Sequence, residues 1–188
     1  MPKFKESEIV EQWGTLIEGA QGKQQDFYKA IRERLNELQP PKLDISQEKI
    51  CASLLRQLKG ESRMFLVLKS KYFDGYVVRV GAEDYGKQLN ISWYMTQTPS
   101  KFIQFLLGLP SLVFLLLYPV YIAVIIYEKA VKKRVSLENM DLFDKDEFSA
   151  FAGTVHHSVL YGSRYISEAV GFDFSKVDQK SRGFLNLN

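Results

Sequence analysis

Residues that carry catalytic and metal chemistry are scarce in this chain. Cys51 is its one cysteine, so no disulfide can close within it, and the pattern suits a reducing compartment. Two histidines, His156 and His157, leave it short of the four cysteine and histidine ligands of a common structural zinc site. They are neighbours, and adjacent helix positions point about 100° apart, so their rings do not readily share a metal. The phosphate-cradling patterns G-x-x-x-x-G-K-[ST] and G-x-G-x-x-G are missing, as is the nucleophile elbow G-x-S-x-G. Asp141, Asp144, Asp146 and Glu147 cluster, but without the glycine turn and closing glutamate of a calcium loop. No cofactor, metal or catalytic residue is therefore assigned.

An excess of either charge is lacking too. Twenty-five basic and 22 acidic residues give a net charge of +3, so no nucleic-acid partner is expected. The start, Met1-Pro2-Lys3-Phe4-Lys5-Glu6, has no short apolar core of the kind that marks a signal peptide.

What the chain does have is one long uncharged stretch, residues 102–127. A helix of about 20 apolar residues crosses a bilayer core of about 30 Å. The stretch is read as a membrane segment, with Phe102, Phe105, Leu116, Tyr118, Tyr121 and Tyr127 in or at the edges of the bilayer. Pro110 and Pro119 would kink it, so a single crossing and a bent, re-entrant segment both stay open, as does a hydrophobic helix buried in a soluble assembly. Lys129, Lys132, Lys133 and Arg134 follow directly, and the positive-inside rule places the C-terminal flank in the cytoplasm. The expected localisation is the membrane.

Around this segment the pattern predicts an α+β membrane-associated protein. A long N-terminal amphipathic helix is expected over 5–37, within a first unit 1–39. Val10, Trp13, Ile17, Ala20, Gln24, Phe27 and Ile31 step by threes and fours along one face, and Val10, Trp13, Ile17, Phe27 and Ile31 make it an interaction stripe. A second helix is expected from Ser46, a good N-cap, to Lys59, with Gly60 as its stop. Strand-forming runs at 64–69, 76–80 and 88–96 predict a three-stranded antiparallel meander, which with the second helix forms a unit 42–98. The turns are placed at Asp74-Gly75, with one nearer Ser70-Lys71 as the alternative, and over Gly81–Lys87. A C-terminal helix starts near Asp144–Asp146 and stops at Gly171, followed by an irregular tail, all within a unit 128–188.

The function expected from these features is non-catalytic: an interaction or assembly protein held at the lipid bilayer. Its partners would be the bilayer and either further copies of the chain or another protein. Two alternatives remain. One is an oligomeric pore or membrane-perturbing effector. The other is an enzyme acting at the membrane, with His157 or the acidic cluster as its chemistry.

Overall fold

A computed structural model describes residues 9–50, 63–73, 75–97, 117–124, 126–127 and 140–187. The elements run β1 (Ile9–Glu18), α1 (Gln24–Leu38), β2 (Leu43–Ile50), β3 (Arg63–Ser70), β4 (Tyr76–Tyr85), β5 (Gln88–Gln97), α2 (Leu142–Val170) and β6 (Arg182–Gly183). The six strands form one antiparallel sheet in the order β2-β3-β4-β5-β1-β6. The class is α+β.

Alternation along the strands decides which face the helices cover. Ile17 of β1, Leu66 and Leu68 of β3, Val78 and Val80 of β4, and Leu89, Ile91, Trp93 and Met95 of β5 are fully buried. They meet Phe27, Ile31 and Leu35 of α1 and Phe148, Val155, Val159 and Ile166 of α2 in one core. Where the helices cross, a side chain on Gly162 would sit 3.0 Å from Ile31 and 3.2 Å from the Phe27 ring. Glycine is what lets the two backbones approach there.

A hydroxyl ties α1 to the sheet. The β3–β4 ladder runs as far as Phe65 and Gly81. At the next position Tyr28 steps in: its hydroxyl donates to the Met64 carbonyl and accepts from the Ala82 N–H, both at 2.9 Å. Burial holds its phenol above the usual tyrosine pKa range.

Five expectations need correction. The helix expected over 5–37 is a strand followed by a shorter helix. Trp13 and Ile17 lie four apart, a step that returns to the same face of either a helix or a strand. Gly19 then takes φ +74° and Gly22 φ +79°, and the chain turns before α1 begins. The helix expected from Ser46 is strand β2 as far as Ile50, paired with β3 in register from Leu43↔Ser70 to Ile50↔Arg63. Ladder pairing there outweighs a local capping signature; residues 51–59 of that expectation lie outside the described residues, as does Cys51. The second turn is shorter than expected, because β4 continues to Tyr85 and only Gly86 and Lys87 separate it from β5. The meander has four strands, and β1 and β6 extend the sheet to six.

The fifth correction concerns the membrane. Residues 117–124 and 126–127 are helical. At 1.5 Å per residue these ten residues rise about 15 Å, roughly half a hydrocarbon core. No helix among the described residues is long and apolar enough to cross a membrane. The membrane-spanning helix is withdrawn, and with it the membrane localisation and the cytoplasmic assignment of the C-terminal flank. Phe102, Phe105 and Leu116, and the basic residues Lys129, Lys132, Lys133 and Arg134, lie outside the described residues. Tyr118 and Tyr127 are about half exposed, and the rings of Tyr118 and Tyr121 are 6.2 Å apart.

The tail is ordered by one buried carboxylate. Glu11 of β1 is 1% exposed and faces the helix side of the sheet. Its two oxygens accept from the Ser181 hydroxyl and from the Leu185 N–H, the latter at 2.7 Å. The Ser181 hydroxyl in turn accepts from the Leu187 N–H at 2.8 Å. Gly183 sits against Glu11 with φ +152°, and a side chain there would meet the Val10 carbonyl at 2.3 Å. Trp13 adds a clamp, donating its indole N–H to the Asp178 carbonyl at 2.7 Å.

Candidate functional site

Helix α2 offers two faces, and the one turned away from the sheet is hollow. Ala150, Gly153, Thr154, His157, Tyr161 and Arg164 recur at helical spacing along it. The first three are small, and a side chain added at Gly153 would meet nothing within 4 Å. The Thr154 hydroxyl is turned back to the Ala150 carbonyl at 2.8 Å, so it offers little to a ligand. The helix is firmly ended on both sides. Asp141 caps it by accepting from the Asp144 N–H at 2.8 Å, and Gly171 closes it in the left-handed conformation. That cap accounts for one member of the acidic cluster.

Across the hollow stands the end of α1. Gln39 adopts φ +45° and closes the helix by donating to the Leu35 carbonyl. Pro40 and Pro41 then stop it. Lys42 sets the loop against the sheet, its ammonium 4.4 Å from the centre of the Tyr72 ring. Between these walls lie two adjoining hollows of about 680 and 360 Å³, which share Leu38, Ala150 and Thr154. The smaller is largely apolar, lined by Pro40, Pro41, Phe73 and Phe151, with Glu147 as the charged residue on its wall. The larger carries Arg34, His157, Tyr161 and Arg164. Together they make one groove with an apolar end and a basic end.

The basic end has charge to spare. Arg34 lies 5.3 Å from the Tyr161 ring and also pairs with Glu37 at 2.9 Å. Arg164 stacks over Phe174 at 5.6 Å and makes no ion pair among the described residues. His157 and Arg164 lie seven positions apart on α2, near one face, and both line this groove.

His156 has the opposite character. It is fully buried, with Nδ1 accepting from the Trp93 indole at 3.2 Å and Nε2 2.8 Å from the Gln179 carbonyl. A carbonyl only accepts, so Nε2 carries the proton and the ring is neutral. Burial is the main force holding its pKa below the usual histidine value, and His157 adds to the depression. Both ring nitrogens are engaged in packing, which leaves His156 no lone pair for substrate.

The stripe read from the sequence lies inward. Trp13, Ile17, Phe27 and Ile31 are in the core, and Val10 packs against it. The groove residues gave little signal in the sequence. Small side chains such as Ala150 and Gly153 announce no chemistry, and the hollow exists only because α1 ends opposite them. Among known proteins, the chain matches no family model, no curated protein and no solved structure.

Proposed function

We propose that the protein is a non-catalytic interaction module whose groove receives an acidic, amphipathic segment of a partner protein. The observation that carries this reading is the groove's polarity. An apolar end lined by Phe73 and Phe151 runs into an end bearing Arg34, His157 and Arg164. Apolar anchors would fill the first, and carboxylates would meet the second. Leu38 and Tyr161, both more than 40% exposed, supply the kind of rim that such a segment covers.

Selection from a library of helical peptides tests this. Enriched peptides should combine Leu or Phe anchors with Asp or Glu. Gly153→Leu fills the open hollow, and Arg164→Glu reverses the charge at its end. Each should weaken binding about tenfold or more in fluorescence anisotropy, a loss of about 1.4 kcal/mol. Peptides that bind both variants as well as the parent, or the absence of enrichment, would reject the groove as the site.

A further inference from the structure

The opposite face of the sheet holds a second, smaller cavity whose shape follows from strand register. Gly14 of β1 faces Ser92 of β5, and Ser92 faces Gly81 of β4. Side chains in this row are therefore minimal or absent. The row ends at Gly81, because the Phe65 ring lies over it, 2.7 Å from where a side chain would begin. On either side the rows rise again. Gln12 pairs with Tyr94, and Leu16 with Asn90. The result is a trough of about 290 Å³ with a floor at Gly14 and Ser92.

The C-terminal tail builds its rim. Asp178, Lys180 and Arg182 line the trough beside Gln12, Asn90, Ser92 and Tyr94. Arg182 is placed there by pairing with Gln12 in the sheet, and Asp178 by the Trp13 indole. Arg182 reaches the Asp178 carboxylate only at 4.0 Å, and both side chains are largely exposed, so that ion pair is weak. Lys180 makes no ion pair among the described residues. The rim thus carries two cations to one anion, above a floor of hydroxyl and amide groups.

We infer that this trough binds a small phosphorylated polyol of the size of a pentose phosphate. The volume lies at the lower end of small-molecule pockets, which span roughly 300–1,000 Å³, and excludes a dinucleotide. The Arg182 guanidinium offers paired donors suited to a phosphate, and Lys180 a second charge. Gln12, Asn90 and Ser92 supply both donors and acceptors, which sugar hydroxyls need and an apolar ligand does not. The site shares no lining residue with the groove on α2.

Ribose 5-phosphate, ribose and inorganic phosphate are the probes, compared at equal ionic strength by amide chemical shifts. Ribose 5-phosphate should shift Gly14, Asn90 and Ser92 in a saturable way, and bind at least about tenfold tighter than either fragment. Ser92→Val should fill the floor and weaken the sugar phosphate while leaving inorganic phosphate unaffected. Lys180→Ala changes an exposed side chain and should weaken ribose 5-phosphate and inorganic phosphate alike, a test that stands should Ser92→Val lose its dispersed spectrum. Unmoved floor amides would overturn the assignment. So would equal binding of inorganic phosphate and ribose 5-phosphate, or full affinity in Lys180→Ala.

Discussion

Leu16 and Ile17 are neighbours in β1, yet they inhabit different proteins. Ile17 is fully buried beneath two helices, whereas Leu16 is 45% exposed on the other side of the sheet. The helix-covered face is continuous apolar packing closed by glycine at the α1–α2 crossing. Around β1 and β5 the opposite face is polar, with small residues at its centre. One face spends its residues on cohesion, and that frees the other to be shaped by what it presents.

The sharpest way to break this contrast is a matched pair of charges. Ile17→Asp strands a carboxylate in the core and should cost about 4 kcal/mol or more, a large share of the roughly 5–15 kcal/mol that holds an ordinary domain folded. Leu16→Asp, one residue away, should shift stability by no more than about 0.5 kcal/mol. Urea midpoints of the two variants check this, and equal losses would abolish the distinction between the faces.

A milder cut is Tyr28→Phe. It keeps the ring and removes the hydroxyl that bridges Met64 and Ala82, leaving a buried N–H and a carbonyl without that partner. The expected loss is about 1–3 kcal/mol, measured as a lower urea midpoint with unchanged slope.

The smallest effect is read by pH. His156 is harder to protonate folded than unfolded, because burial opposes its charge. The unfolded chain therefore binds the extra proton first. The contribution of His156 is complete above the unfolded value near 6.5, and it is lost as pH falls below that value. The loss cannot exceed about 1.4 kcal/mol per pH unit and levels off once the folded histidine also protonates. His156→Phe should flatten the difference in melting temperature between pH 7 and pH 5.

Much of the sheet could be read from the chain alone, and the exceptions share a cause. The runs at 64–69, 76–80 and 88–96 fall inside β3, β4 and β5, because alternation over several residues admits one period only. The final helix and its stop at Gly171 were marked by cap chemistry. In β1 the spacing of Trp13 and Ile17 fits both periods, and in β2 Ser46 looks like a cap until β3 is there to pair with it. Neither cavity was legible. The groove needs the end of α1 brought opposite Gly153, and the trough needs Gly14 brought opposite Ser92, across 78 positions of sequence. Such distances are set by the completed fold rather than by any local signal.

The Glu11 clasp has a consequence for the order of events. Strand β1 is made first, but its partners β5 and β6 arrive late, the last pairing Glu11 with Gly183. Until the tail closes, β1 is an edge with open hydrogen-bonding groups, and edges of that kind recruit other chains. A carboxylate pointing inward at that edge makes the wrong partner costly, since a foreign strand would bury it unpaired. The tail alone brings the Ser181 hydroxyl and the Leu185 N–H that receive it. Glu11 thus favours the protein's own tail over a foreign strand at this edge, through the same atoms that fasten residues 181–187.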